Sequence, residues 1–275
     1  MNVRKVCAIY FSPTGNSQKI VCAIAQKIAE ILGVELEENA FTLPGERAEC
    51  ITISEASLLV IGSPTYAGKL PNKILPDFQH KIKGNNTLAV PIVTFGNRAF
   101  DNALAELVSV LSQNGFLPIA AAAIVSQHAF SDLLAPARPD ALDFVAIETF
   151  AQRVAEKIMA QKMVNIVKVP GEAEAPYYIP KGIDGAPVKF LKAKPITDKE
   201  KCNGCRICAQ NCPTGSISLE DPTLVEGVCI KCHSCIYSCP SQAKFFDDPA
   251  FLSHVAMLEQ HYKERKESMF FYSKS

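Results

Sequence analysis

The sequence predicts an α/β protein in which helices cover both faces of a parallel sheet, followed by a small cysteine-rich α+β domain. Over residues 1–163, short apolar runs alternate with stretches of helical periodicity. Residues 164–196 are rich in proline and glycine, which is typical of an extended connector. The cysteine-rich domain is expected at 197–246, and a tail with a helical middle at 247–275.

The individual elements follow from local patterns. The run KVCAIYF at 5–11 is almost wholly apolar, as in a parallel strand buried on both faces. Isoleucines at 20, 24, 28 and 31 then predict a helix from Asn16 to Gly33. By the same reasoning we expect strands at 34–41, 58–63, 86–95 and 116–126, and helices at 72–81, 102–113, 141–163 and 251–267. Five strands alternating with helices indicate right-handed crossovers.

Two cysteine runs have the same spacing, C-x2-C-x2-C-x3-C-P, from Cys202 to Pro213 and from Cys229 to Pro240. They resemble bacterial ferredoxins with two [4Fe–4S] clusters. Three closely spaced thiolates bind one cluster, and the fourth cysteine, directed away at the proline, completes the other. The predicted ligands are Cys202, Cys205, Cys208 and Cys239 for cluster 1, and Cys212, Cys229, Cys232 and Cys235 for cluster 2.

Structural zinc is the alternative, because zinc sites also use paired C-x2-C units. Zinc does not require three cysteines at successive two-residue gaps before Cys-Pro, and this arrangement occurs twice. His233 lies inside the second run, but the cysteines already supply four ligands for each cluster, so we expect no ligand role for it. Lys201, Arg206 and Lys231 are expected to be surface charges.

Three loops follow predicted strands on one edge of the sheet: SPTGNS at 12–17, GSPTYAG at 62–68 and TFGNR at 94–98. Ligands of open parallel sheets bind beyond the carboxyl ends of the strands. The first loop opens a helix, and backbone N–H groups there bind phosphate without basic side chains. Alone, this loop would equally suit an ordinary capped turn. It matches neither GxGxxG nor GxxxxGK[ST], so dinucleotide and ATP sites are not indicated.

Together these loops resemble those of flavodoxin-like domains that bind FMN. The resemblance covers roughly residues 1–163 and implies a doubly wound, five-stranded parallel sheet of order 2-1-3-4-5. It implies the FMN phosphate at Ser12, Thr14, Gly15, Asn16 and Ser17, one side of the flavin at Pro64, Thr65, Tyr66, Ala67 and Gly68, and the other side at Thr94, Phe95, Gly96 and Asn97. The whole chain is similar to flavodoxin–ferredoxin fusion proteins, found mostly in anaerobes.

Side chains near the same edge are candidates for a catalytic role. His128 is a candidate proton donor, since the pKa of histidine suits neutral pH, and an ordinary loop histidine is the alternative. Arg98 is a candidate for stabilising reduced flavin, and a surface arginine is the alternative. The sequence leaves open whether Phe95, Phe100 or neither ring stacks on the flavin. Lys69 is interpreted as a surface residue.

Composition restricts the function further. The formal net charge is zero, which argues against nucleic acid as the main partner. The N-terminal apolar run is too short for a signal peptide, and the longest apolar stretch, 116–125, is too short to span a bilayer. Cysteines with ligand spacing in such a chain indicate a reducing compartment. We therefore expect a cytoplasmic protein without a membrane span.

Clusters transfer single electrons, whereas FMN accepts one or two. We therefore expect an oxidoreductase that couples one-electron carriers to a two-electron acceptor through intramolecular transfer between the clusters and FMN. Its partner would be a redox protein or a small-molecule acceptor. A pure electron carrier is the main alternative, and a cluster-sensing regulator is less favoured because no DNA-binding segment is recognisable. No fingerprint for a nicotinamide cofactor is present, and the oligomeric state stays open.

Overall fold

The computed structural model describes residues 3–160 and 165–273. The strands are β1 (Lys5–Tyr10), β2 (Glu35–Ala40), β3 (Ile51–Thr52), β4 (Ser57–Pro64), β5 (Ile82–Lys83), β6 (Thr87–Phe95), β7 (Phe116–Pro118), β8 (Ala120–Val125), β9 (Ile196–Thr197), β10 (Lys244–Phe245) and β11 (Met269–Tyr272). The helices are α1 (Asn16–Leu32), α2 (Leu75–Lys81), α3 (Ala103–Gln113), α4 (Ala141–Met159), α5 (Ile207–Gln210), α6 (Ser234–Tyr237) and α7 (Pro249–His261). The expected end of α4 at 161–163 lies outside the described residues.

A seven-stranded sheet forms the centre of the N-terminal domain. Its order is β11-β8-β6-β4-β1-β2, with β7 also paired to β6. The pairs from β2 through β8 are parallel. The predicted order 2-1-3-4-5 is therefore confirmed for β2, β1, β4, β6 and β8. Strand β6 is buried along its whole length, which explains why its sequence is a continuous apolar run rather than an alternating one.

The prediction of five strands was wrong in two respects. The fifth strand is divided into β7 and β8 just after Pro118, which has no N–H to donate to a sheet. The C-terminal segment MFFY adds the antiparallel strand β11, in which Phe270 lies opposite Ala122. The small alanines of β8 leave room beside them, and Phe270 packs 5.2 Å from the ring of Phe150 in α4.

An apolar layer covers each of the two faces of the sheet. Helices α1 and α4 pack against each other on one face, where Ile24 and Val154 are fully buried. The opposite face is covered by α2 and α3, with Phe78 and Leu107 in the core. Helix α4 begins at Asp140, whose side chain accepts hydrogen bonds from two backbone N–H groups in a capping box. The layers leave the carboxyl ends of the central strands free of helices.

The connector is irregular but is bound to the N-terminal domain. Lys69 donates a hydrogen bond of 3.0 Å from Nζ to the carbonyl oxygen of Ala175. The N–H group of Tyr178 donates to the carbonyl oxygen of Ala67 at 2.8 Å. The connector therefore lies across the loop that follows β4, instead of forming a free spacer.

The cysteine-rich module has an internal repeat in its backbone. Arg206 and His233 each precede a four-residue helix, α5 or α6, and both have φ of 62°. The module is followed by α7, which starts at an Asp248 cap and ends at His261 rather than near 267. In the part of the chain that the structure describes, no helix combines the length and apolar character needed to cross a membrane.

Candidate functional site

A cavity of about 690 Å³ lies beyond the carboxyl ends of β1, β4, β6 and β8. The predicted site residues that line it are Ser12, Thr14, Asn16, Ser17, Pro64, Thr65, Tyr66, Ala67, Gly68, Thr94, Phe95, Gly96, Arg98 and His128. Its size lies within the range of small-molecule and cofactor sites. The three loops singled out in the sequence thus surround one space. Gly15 and Asn97 are not among the lining residues.

The N-terminus of α1 forms one end of this cavity. Gly15 precedes the helix with φ of 87°, a left-handed conformation that suits glycine. Within the described residues, the N–H groups of Asn16 and Ser17 donate no hydrogen bond to a protein acceptor. Ser12 accepts a hydrogen bond on Oγ from Gln18 N–H at 2.9 Å, which leaves its own hydroxyl hydrogen free. Unpaired N–H groups at the start of a helix fit a phosphate.

Thr65 provides an independent indication of a ligand. Its Oγ1 atom is buried and has no hydrogen-bond partner, whereas its N–H donates to the carbonyl oxygen of Thr94 at 2.7 Å. A buried hydroxyl without a partner costs free energy unless something else satisfies it. A flavin ring offers carbonyl and ring-nitrogen acceptors. The residues at this cavity therefore fit FMN.

Asn97 requires a correction. We expected its side chain beside the flavin, but it is fully buried and holds the C-terminal segment. Its Nδ2 donates to the carbonyl oxygen of Glu264 at 2.7 Å, and its Oδ1 accepts from the N–H of Lys266 at 3.2 Å. Asn97 has φ of 67°, and asparagine tolerates this conformation better than most residues. The residue therefore orders the tail instead of binding the cofactor.

The aromatic rings at the cavity come from both the N-terminal domain and the connector. Phe100 is buried against Phe95 with ring centroids 5.5 Å apart, and only Phe95 lines the cavity. Tyr178 of the connector lines it too, and the guanidinium of Arg98 lies 3.9 Å from the Tyr178 ring centroid. Arg98 also pairs with Asp101. Arg98 is therefore fixed at the cavity edge by two partners.

His128 lines the cavity, and its surroundings disfavour the charged imidazolium form. Burial lowers its pKa to about 3, with smaller contributions from nearby groups including Arg98. Its Nδ1 accepts a hydrogen bond from the N–H of Phe130 at 3.1 Å. The neutral ring therefore carries its proton on Nε2. The expectation that its pKa suits neutral pH was wrong, and His128 is a hydrogen-bond donor rather than an imidazolium acid.

Lys69 is buried and is not a surface residue. It is 5% exposed and forms an ion pair with Glu106 at 2.9 Å. Glu106 also accepts a hydrogen bond from the N–H of Leu70 at 2.7 Å. A buried charge requires such partners. The ion pair with Glu106 fixes the loop that follows β4, and the hydrogen bond from Lys69 to Ala175 holds the connector against this loop.

A second cavity lies in the cysteine-rich module. Four cysteines line it, and they are the set predicted for cluster 2, namely Cys212, Cys229, Cys232 and Cys235. One of them belongs to the first run and three to the second, as crossed ligation requires. Among the described residues, no three His, Cys, Asp or Glu side chains are grouped closely enough to hold a single metal ion.

Backbone N–H groups point at the thiols in the same way in both runs. Cys212 Sγ accepts from the N–H of Ser216 at 3.3 Å, and Cys239 Sγ accepts from the N–H of Ala243 at 3.2 Å. Burial raises the pKa of Cys235 to about 12. A buried thiol with this pKa stays protonated unless a metal displaces the proton. This donor set fits an iron–sulfur cluster.

The two cavities share part of their walls. Cys229, Ile230 and Cys232 line both of them. Tyr66, which lines the first cavity, has a raised pKa because it is buried and because the charges of Cys232 and Cys229 act on it. The second cysteine run therefore lies directly beside the first cavity. The sequence did not indicate that Tyr177 and Tyr178 line the first cavity, because the connector residues carry no motif.

Comparisons with known proteins cover both halves of the chain. The 4Fe-4S binding domain matches residues 195–218, which include the first cysteine run. Comparison with curated proteins gives no match. Similar solved structures include a flavodoxin from the domain Archaea (14% identity, 56% of this chain, 99% of that chain, TM-score 0.38) and the Streptococcus pneumonia TIGR4 flavodoxin (18%, 56%, 99%, 0.40). A third is flavodoxin 2 from Bacillus cereus (21%, 56%, 99%, 0.36).

The strand order and the matched domain define the class of protein. A flavodoxin-like α/β sheet of order 2-1-3-4-5, extended by β11, is joined in one chain to a 4Fe–4S binding domain. The chain therefore combines a flavodoxin-like α/β fold with a 4Fe–4S binding domain. Its second cysteine run lies beyond the matched residues and has the same spacing as the first.

Proposed function

We propose that the chain is an FMN- and iron–sulfur-dependent oxidoreductase that transfers electrons between two [4Fe–4S] clusters and FMN within one molecule. The shared wall of the two cavities is the observation that carries this proposal. Cys229 and Cys232 of the ligand set for cluster 2, together with Ile230, also line the space assigned to the flavin. Transfer across such a wall needs no domain rearrangement.

The residues divide by role. The N-terminus of α1, with Ser12, Thr14 and Asn16, would hold the phosphate, and Thr65 would donate its unpaired hydroxyl to the flavin. Bound clusters supply single electrons and bound FMN accepts one or two, so the pair couples a one-electron carrier to a two-electron acceptor. All eleven cysteines are free, which suits a reducing compartment, and we propose the cytoplasm.

An anaerobic reductive titration of the reconstituted protein tests this function. Visible absorbance follows the flavin, and EPR follows the clusters. We expect one FMN and eight iron atoms for each chain, and faster bleaching of the flavin when the clusters are loaded than when they are absent. A Cys232→Ser variant loaded with FMN should take electrons from dithionite more slowly into its flavin. Equal flavin reduction with and without cluster 2 would contradict the proposal.

A pure electron carrier is the second candidate. The state of His128 favours it, because a neutral imidazole whose Nδ1 is already occupied is a poor proton donor to a substrate. Reoxidation of the reduced protein by a quinone and by a nitroaromatic compound separates the two functions. Rapid, saturable reoxidation indicates an oxidoreductase. Reoxidation by protein acceptors alone indicates a carrier.

A further inference from the structure

The two cysteine runs carry different residues at a position where their backbone conformation is the same. Arg206 and His233 each follow the second cysteine of their run and share the same left-handed φ of 62°. His233 is 7% exposed and stacks on Phe246 with ring centroids 5.0 Å apart. Phe130 of the N-terminal domain also contacts it, at 4.9 Å. Arg206, in contrast, is exposed to solvent.

Arg206 lies beside an exposed thiol. Cys205 is the exposed member of its predicted ligand set, and no residue of that set lines the flavin cavity. In the described chain, the guanidinium of Arg206 forms no ion pair and no hydrogen bond. The nearby Lys201 is already paired with Asp198 at 3.5 Å. Arg206 is therefore an exposed positive charge without an ion-pair partner among the described residues.

The two ligand sets meet inside the module. Cys208 and Cys235 are both buried and belong to one apolar cluster with Ala209 and Ile217. The ligand set for cluster 2 therefore contacts the set containing Cys205 through Cys235, and it contributes Cys229 and Cys232 to the wall of the flavin cavity.

We propose that the face around Cys205 and Arg206 is the docking site of a small one-electron carrier protein that presents carboxylates. The inference rests on the proposed function and adds to it the site at which electrons enter the protein. One electron leaves the carrier, which is oxidised, and reduces the cluster held by the outer set, with no bond formed or broken and no proton moved. His233 occupies the equivalent position in the second cysteine run. Because His233 is buried, this position is not available to a partner protein.

Charge reversal at Arg206 tests this docking site. The electron donor is a reduced acidic ferredoxin of the [2Fe–2S] type, whose spectrum differs from that of the clusters under study. We expect Arg206→Glu to lower the second-order rate constant of cluster reduction about tenfold at low salt, and Arg206→Gln to lower it less. Lys168→Glu is the matched control, because Lys168 is exposed and lies in the connector.

Dithionite provides the second control, since a small reductant needs no docking surface. At high salt, where surface charges are screened, its rate with Arg206→Glu should equal that of the parent protein, which also verifies that the cluster is intact. If the rate with ferredoxin is unchanged in Arg206→Glu, or falls as much in Lys168→Glu, the docking site is wrong. If ferredoxin reduces the clusters in an Arg206-dependent way while FMN stays oxidised, the proposed function fails and the docking site stands.

Discussion

Arg47 donates a hydrogen bond of 2.8 Å from Nη2 to the carbonyl oxygen of Pro213, and this bond joins the α/β domain to the cysteine-rich module. Arg47 is 5% exposed, and its Nε pairs with Asp77 at 2.9 Å. Its guanidinium also lies 6.0 Å from the ring centroid of Phe41. Pro213 directly follows Cys212, so a buried arginine of one domain positions a predicted cluster ligand of the other.

Replacement of Arg47 by methionine should loosen this junction. Hydrogen bonds to a charged group contribute about 2–3 kcal/mol each, so we expect a decrease of at least about 2 kcal/mol in the free energy of unfolding. Transfer from the clusters to the flavin should slow as well. Urea denaturation and stopped-flow absorbance measure the two effects. Arg4→Met is the control, because Arg4 is exposed, and equal behaviour of both variants would contradict this role.

The hydroxyl of Thr65 should contribute to flavin binding and not to the stability of the protein without flavin. Thr65→Val removes a buried polar atom that has no partner in the protein, so stability without FMN should be unchanged or higher. The FMN dissociation constant should rise about tenfold, the equivalent of one hydrogen bond. Fluorescence quenching on FMN titration measures it. Thr52→Val, at an exposed position, should leave affinity unchanged.

Asn97 should affect stability and not cofactor binding. Asn97→Gly retains the left-handed backbone and removes the hydrogen bonds to the C-terminal segment, at an expected cost of about 2 kcal/mol. The FMN dissociation constant should stay within about twofold of the parent value. Asn86→Gly is the matched control, since Asn86 also has positive φ, 52°, and is exposed. A large loss of FMN affinity in Asn97→Gly would restore the original prediction.

His128 should make stability depend on pH. Its pKa is about 3 in the folded protein and about 6.5 when unfolded, so between these values the unfolded chain binds more protons. Stability attributable to His128 therefore falls as the pH drops below about 6.5. From pH 7.5 to 5.5 we expect a loss of about 1 kcal/mol. His128→Gln should remove this part of the pH dependence in urea denaturation, and an unchanged profile would show that the histidine is not buried neutral.

Lys244 should raise the reduction potentials of the clusters. It is 3% exposed, its Nζ donates to Thr197 Oγ1 at 2.7 Å, and no carboxylate pairs with it in the described chain. Burial raises the pKa of Cys208, and the charge of Lys244 opposes this increase. Lys244→Met should shift the cluster reduction potentials to more negative values, because a cation stabilises the reduced state. EPR-monitored redox titration measures the shift, and Lys201→Met at an exposed site should cause none.

Much of the fold and part of the candidate site could be predicted because their signals are local. Periodicity located the strands and helices, and the resemblance of three loops implied the strand order now seen from β2 to β8. The errors concern features that depend on residues far apart in the sequence. The strand β11 exists because Phe270 finds room beside Ala122, and Asn97 turns away because Glu264, 167 positions later, supplies an acceptor.

The sequence by itself determined the chemistry that each half can carry, since cysteine spacing and loop composition are set within a few residues of chain. Only the tertiary structure decided how the halves meet. Arg47 and Pro213 are 166 positions apart, and the wall formed by Cys229 and Cys232 belongs to the flavin cavity only because the module packs there. Burial likewise decided the protonation of His128, because desolvation depends on every element packed around the ring.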